Sequence, residues 1–232
     1  MIVKAYFTYE AYGLIWLWWG DDEKRTPQPF FFNELESFSY SSFKDHWNVH
    51  YSRAIENQLD VVHLPFVHKT TIGRGNKTLV NGPVVVRENE MITFYVDNVV
   101  DDGKTIPLKP NDIPDYEKLF HLQFHYPNIW QNLISDKIRA FAAFVPVDEE
   151  NTIVYIRYYQ NMIRVPVLKQ LFNYLGKLSS IIILRQDKRV VITQLPKKST
   201  LKMDERMIMG DKPIIEYRKY RQFLMDSNPK SN

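Results

Sequence analysis

The 232-residue sequence contains no cysteine. That absence excludes disulfides, zinc ribbons, thiolate nucleophiles and any cysteine-ligated iron–sulfur cluster within the chain. Long apolar runs are missing as well. The run Leu14 to Trp19 is far short of the roughly 20 residues that span a bilayer. The N-terminal segment has no basic start, no uninterrupted apolar core and no small-residue cleavage site, so it does not read as a signal peptide. A soluble, cytoplasmic protein without a membrane span is expected. No block of five like charges occurs, and a net charge of +3 is too small to argue for nucleic acid as a partner. Internal repeats and low-complexity stretches are also absent.

A hydrophobic fraction of 44% and an aromatic fraction of 14% fit a folded globular protein. A chain of this length can bury a substantial core. Residues 1–20 are rich in Tyr, Phe, Trp, Ile and Val and read as one or two strands with Gly13 as turn or bulge. A domain that opens on a bare hairpin is odd, because a lone hairpin is only marginally stable. Residues 21–42 are first polar and proline-bearing, then aromatic, and look like a connection. A short strand is expected over 46–53, a helix from Ala54 to about His63, and two strands over 78–100 around Asn81-Gly82-Pro83 and Glu88-Asn89-Glu90. Three more strands are expected over 119–126, 137–146 and 152–162, the last two joined by the turn Asp148-Glu149-Glu150-Asn151. From Val167 the apolar spacing turns helical (Leu168, Leu171, Phe172, Leu175, Leu178, Ile182) and predicts a long helix to about Val191, with Pro166 at its start. A last helix is expected over Pro213 to Met225. This order predicts an α+β domain, an antiparallel sheet with helices on one face.

The segment ENQLDVVHLPFVH, Glu56 to His68, holds two of the six histidines. On a helix Asp60 and His63, three apart, share a face. His68 is five residues beyond His63, about 140° around an ideal helix, which is wrong for a shared ligand. Pro65 relieves this, because it allows a kink or a helix end after which His68 can swing back toward His63. Metal binding and simple polar groups at a helix end both remain open on these residues alone. The H-E-x-x-H pattern of zinc proteases is absent. A two-histidine iron site needs a third, usually carboxylate, ligand and keeps positions open for dioxygen and substrate. Asp187 is the single acid between Asn151 and Met203, set between the apolar runs Ile181–Leu184 and Val190–Ile192. It is either that ligand or a partner of its neighbours Arg185, Lys188 and Arg189 on a solvated face.

The pattern N-x-x-D-x-x-H-x-x-x-x-H at Asn57, Asp60, His63 and His68 resembles the mononuclear iron motif of Rieske non-haem iron oxygenases. Arg185–Gln194, RQDKRVVITQ, is similar to the later stretch of that family that supplies the ligand aspartate. Tyr12–Asp21, YGLIWLWWGD, looks like the closing strand of its Rieske domain. The variant HLPFVHKTTIG resembles the subgroup with vanillate demethylases and pheophorbide a oxygenase. The resemblance implies a helix-grip (START-like) fold, an antiparallel sheet around a long helix with an apolar cavity. It implies His63, His68 and Asp187 as ligands of a mononuclear Fe(II), Asp60 as the aspartate that bridges to a Rieske cluster, and Asn57 as a polar group close to the iron. The implied domains are a remnant of a Rieske domain at 1–22, a connection at 23–45, the iron-binding catalytic domain at 46–226 and a disordered tail at 227–232. The implied activity is hydroxylation or demethylation of an apolar or aromatic substrate with dioxygen. The [2Fe–2S] centre of this family needs two cysteines and two histidines. Electrons are therefore expected from a missing domain or a partner, a ferredoxin or reductase, and a homotrimer is possible. The alternative is a non-catalytic helix-grip domain that binds an apolar small molecule.

His121 and His125, four apart on an expected strand, point to one face and are candidates for the substrate pocket, against a plain half-buried polar position. Tyr155, Tyr158, Tyr159, Phe141 and Phe144 could furnish an aromatic pocket or simply core. The lone G-x-G at Gly73 and Gly75 does not support nucleotide binding without a following helix pattern. The bases Arg185, Lys188, Arg189, Lys197, Lys198 and Lys202 are either a docking face for an acidic electron donor or a solvated surface.

Overall fold

The computed structural model describes residues 5–11, 14–18 and 33–227. It divides into two units, residues 1–38 and 39–232. In the first, strands β1 (Thr8–Ala11) and β2 (Leu14–Leu17) form an antiparallel pair with Tyr9 opposite Trp16. Most of the proposed connection at 23–45 and all but the first residue of the tail at 227–232 lie outside the described residues or in the second unit.

The second unit is built on seven antiparallel strands. They are β3 (Ser39–Trp47), β4 (Leu79–Glu88), β5 (Met91–Val99), β6 (Phe120–His125), β7 (Ile129–Ser135), β8 (Ile138–Pro146) and β9 (Thr152–Gln160), in the order β3-β9-β8-β7-β6-β5-β4. Strands β4 to β9 are a meander in which each strand pairs with the next, and β3 closes the far edge against β9 with Phe43 opposite Ile156. Strand alternation sends one set of side chains to the helical face: Ile92, Phe94, Phe124, Ala142, Phe144, Val154 and Ile156 are buried there. Helices α1 (Tyr51–Leu59), α3 (Pro166–Val191) and α4 (Lys212–Ser227) cover them with Ala54, Ile55, Leu59, Leu184, Val191, Ile214 and Tyr217. Each Val, Leu, Ile or Phe among them contributes about 1.5–3 kcal/mol on burial. The fold is the expected α+β arrangement of an antiparallel sheet gripping a long helix.

The long helix matches expectation, and several boundaries do not. The connecting character expected up to residue 45 is wrong for 39–45, which form most of β3. The strand expected at 46–53 is only the end of β3. His50 then caps α1, its Nδ1 accepting from the Ser52 N–H at 3.2 Å. The helix expected to reach His63 ends at Leu59, because Asp60 takes an extended backbone. Asn81-Gly82-Pro83 is not a turn but an irregular register inside β4, with Gly82 at φ 77. The sequence pattern does not predict strand β7. Its centre, Gln131-Asn132, breaks the apolar alternation, yet Gln131 is fully buried.

Two carboxylates and two guanidiniums, paired four ways, lock α1 to α4. Glu56 accepts from Arg53 at 2.9 Å and from Arg218 at 2.7 and 3.0 Å, and Glu205 accepts from the same two guanidiniums at 2.8 Å each. Arg53, Glu56 and Arg218 are buried, so each charge depends on these partners. Among the described residues no helix is long and apolar enough to cross a membrane.

Candidate metal centre

The site begins where α1 stops. The Asp60 carboxylate oxygen Oδ1 accepts from the backbone N–H groups of Val62 (2.7 Å) and His63 (3.2 Å), a local turn in which a side chain replaces the helical acceptor. The same turn brings His63 Nδ1 to 2.9 Å from the Asp60 carbonyl oxygen. A carbonyl only accepts, so His63 carries its proton on Nδ1 and presents the lone pair of Nε2. The Asp60 carboxylate, at 3.7 Å from Nδ1, is not the partner that sets this tautomer. Pro65 then starts a single helical turn, α2 (Leu64–Val67), with His63 and His68 as its two caps. One turn folds the pair back so that the two Nε2 atoms lie 3.3 Å apart.

Asp187 comes from α3. The buried residues of that helix are Leu184, Asp187 and Val191, three and then four apart, so the acid sits on the apolar stripe and not on a solvated face. It is 3% exposed. Its Oδ1 is 3.4 Å from His63 Nε2 and 2.9 Å from His68 Nε2. Its Oδ2 accepts from Gln58 Nε2 at 3.4 Å. On the far side of the second histidine, His68 Nδ1 is 2.8 Å from Gln186 Oε1, which also accepts from Thr71 Oγ1 at 2.9 Å.

These atoms fit a cation. Both Nδ1 positions face oxygen acceptors, so two imidazole lone pairs and a carboxylate oxygen converge with no proton of their own between them. Among the described residues Asp187 Oδ1 faces no hydrogen-bond donor besides the two Nε2 ring nitrogens. Metal bonds of about 2.1 Å set neighbouring ligand atoms roughly 3 Å apart on an octahedral face and about 3.4 Å apart in a tetrahedron. The observed separations of 2.9, 3.3 and 3.4 Å span those values. With protons alone, the same convergence appears as shifted acidity. Burial opposes charge on His63, but Asp187 and Asp60 outweigh it and raise its pKa. Burial likewise opposes charge on Asp187, but the two histidines hold its carboxyl far below the usual range. Among the described residues this is the one group of three histidine or acidic side chains placed to share an ion.

The triad opens on a cavity of about 690 Å³. Phe94, Val96, Leu122, Trp130, Ile156 and Leu184 supply apolar wall, and Asn98, Asn132 and Tyr158 add polar groups. Asn57 does not reach it. It is 6% exposed on α1 and absent from the lining, while the next residue, Gln58, faces both the cavity and Asp187. One position on a helix is a 100° rotation, enough to exchange the two. The pocket role of His121 and His125 is likewise corrected. Phe120 and Leu122 line the cavity and Phe124 is core, so alternation sends the two histidines to the opposite face of the sheet, where His121 packs on Tyr95. Of the aromatic set, Tyr158 lines the cavity and Phe144 is core. Of the basic segment, Lys188 pairs with Asp45 and Lys198 with Glu149. Gln58, Thr71 and Gln186 are not among the candidates that the sequence pattern offers. Being next to a motif residue is the one local signal that Gln58 and Gln186 carried.

A seven-stranded sheet gripping a long helix, with two histidines and an acid at the head of an apolar cavity, defines the catalytic-domain class of Rieske oxygenases. Residues 47–227 match the family model described as the vanillate O-demethylase oxygenase C-terminal domain, and the chain belongs to that family. It is 31% identical over 106 residues to the vanillate O-demethylase oxygenase subunit of Pseudomonas sp. (strain HR199 / DSM 7063), covering 42% of this chain and 29% of that protein. It is 28% identical over 89 residues to the toluene-4-sulfonate monooxygenase system iron-sulfur subunit TsaM1 of Comamonas testosteroni, covering 37% of this chain and 25% of that one. The fold is shared with Pseudomonas putida CBB5 NdmA with caffeine (TM-score 0.72, 22% identity, 97% of this chain and 63% of that chain). It is shared also with dicamba monooxygenase bound to dicamba (TM-score 0.65, 14% identity, 97% and 70%). The matched regions are thus under a third of the curated relatives' length and under two thirds of the NdmA chain.

Proposed function

We propose that this chain is an oxygenase catalytic domain that holds one Fe(II) on His63, His68 and Asp187 and hydroxylates or demethylates an apolar or aromatic substrate with dioxygen. The observation that carries this reading is the convergence of Nε2, Nε2 and Oδ1 within 3.4 Å of one another at a cavity wall. When bound, such an iron supplies dioxygen activation at the positions that a two-histidine, one-carboxylate set leaves open. The residues of the chain do the rest. Burial of His68 and Asp187 keeps water from competing for the ligand atoms. The Asp60 carbonyl holds the His63 proton away from the centre. The apolar wall receives the substrate, and Asn98, Asn132 and Tyr158 are the polar groups able to orient it.

Electrons come from a Rieske [2Fe–2S] centre outside these residues, since the sequence holds no cysteine to ligate one. Asp60 bridges toward that centre. Its side chain is 30% exposed beside the His63 ring, so it is reachable from outside while touching the ligand turn. The opening strands β1 and β2 are the remnant of a Rieske domain, the assembly is a homotrimer, and the compartment is the cytoplasm. A non-catalytic binder of an apolar molecule would use the cavity equally well, but it has no use for three converging donors.

Anaerobic incubation with Fe(II) tests the reading directly. About one iron per chain is expected, and Asp187→Ala is expected to lose it. Full occupancy in the variant overturns the ligand set, and no iron in the unaltered chain overturns the oxygenase reading in favour of the binder.

A further inference from the structure

We propose that Gln186 is a positioning residue. It holds His68 in the tautomer that offers Nε2 to the metal, and it does so with a neutral acceptor that Thr71 keeps turned toward the ring. Consecutive residues of α3 point about 100° apart. Gln186 and Asp187 use that angle to hold one imidazole from both sides, with Nδ1 at 2.8 Å from Gln186 Oε1 and Nε2 at 2.9 Å from Asp187 Oδ1. The ring is 1% exposed, so bulk water is not available to stabilise either tautomer. Without the amide oxygen, a proton on Nε2 facing the Asp187 carboxylate is the favoured arrangement, and that proton blocks the metal. Gln186 reverses the preference by giving Nδ1–H an acceptor.

Thr71 completes the device. Its hydroxyl donates to the same Oε1 at 2.9 Å, and its backbone N–H bonds the His68 carbonyl at 2.8 Å. With Oε1 placed between them, the Thr71 hydroxyl and Nδ1–H both donate to one oxygen of the amide, whereas the opposite amide orientation would present NH₂ to Nδ1 and favour the Nε2–H form. A carboxylate at this place would give the same geometry with a further negative charge. Among the described residues the neutral amide leaves Asp187 as the one anion in contact with the His68 ring, so a metal bound there would be the stronger Lewis acid.

The role given to Gln186 rests on the metal-site reading, and the test separates the two. Co(II) and Fe(II) affinities are measured by anaerobic competition titration for the unaltered chain, Gln186→Met, Gln186→Glu and Thr71→Val. Histidine tautomers in the metal-free proteins are read in parallel from long-range ¹H–¹⁵N spectra. Gln186→Met, similar in volume without an acceptor, is expected to weaken metal binding about 10–100-fold and to shift His68 toward the Nε2–H form. Gln186→Glu retains the acceptor and is expected to bind at least as tightly, with an altered Co(II) absorption spectrum. Thr71→Val is expected to lie between them. A general packing defect would weaken both Gln186 variants, and rescue by Glu excludes it. Unchanged affinity and tautomer in Gln186→Met overturn the positioning role while leaving the metal site standing. No Co(II) or Fe(II) binding in the unaltered chain overturns both.

Discussion

At the scale of single residues, the turn that carries His63 and His68 leaves little room for change. Gly73 donates its N–H to the His68 carbonyl at 3.0 Å, and a Cβ on Gly73 would lie 2.0 Å from the Leu64 carbonyl oxygen. Both contacts are backbone, so neither can swing aside. Gly73→Ala is expected to displace the 64–68 turn and to lower iron stoichiometry well below one per chain, read by metal analysis beside the unaltered protein. Asp60→Asn is expected to keep iron, because the carbonyl and not the carboxylate holds His63, but to lose turnover with a Rieske electron donor. Normal turnover in that variant would remove the bridging role. A third residue reads out through acidity. Burial, then Lys198 and Arg221, press the His50 pKa down to about 4 from an ordinary 6.5. The unfolded chain therefore takes up this proton first as pH falls. The contribution of neutral His50 is complete above pH 6.5 and is lost on the way down through pH 4, roughly 3 kcal/mol in all. His50→Asn, which keeps a helix cap, is expected to flatten the stability profile between those limits in urea titrations.

At the scale of elements, α1 and α4 are joined by charge as much as by apolar contact. Removing Glu56 leaves the Arg53 and Arg218 guanidiniums buried with only Glu205 between them. Glu56→Ala is expected to destabilise by about 3–5 kcal/mol, seen as a lower urea midpoint with an unchanged slope. A slope change would mean that α4 detaches separately. The elements were unevenly legible. Helix α3 announced itself by apolar spacing, and most of the strands by alternation between turn residues. Strand β7 hid because Gln131 and Asn132 are polar, the first at a fully buried position and the second on the cavity wall. The end of α1 hid because the turn at Asp60 is made by its side-chain oxygen and not by glycine or proline. The face of a strand also depends on its register against neighbours, and that is why His121 and His125 could be paired with each other but not assigned to the cavity side.

At the scale of the whole molecule, a metal held at the proposed site would stabilise the fold. The three proposed donors come from the α1–β4 connection and from the far end of α3, so an ion bound to them would tie those segments together. Ligand at 100 times its dissociation constant adds about 2.7 kcal/mol. For a chain of this size that is a rise in Tm of roughly 5–10 °C. Scanning calorimetry with and without excess Fe(II) is expected to show it, and Asp187→Ala is expected to show none. By itself the sequence determined the chemistry available: two histidines bracketing a proline, one isolated acid, no thiol, and a sheet-and-helix pattern with one long helix. Local spacing was enough for this, because turns and periodicity act over a few residues. Only the tertiary structure decided that Asp187 belongs to the buried stripe of α3, that Gln58 bonds it and lines the cavity where Asn57 does not, and that Gln186 meets His68 across 118 positions of chain. Those outcomes depend on how helices rotate when they pack on a sheet, and no local pattern encodes that rotation.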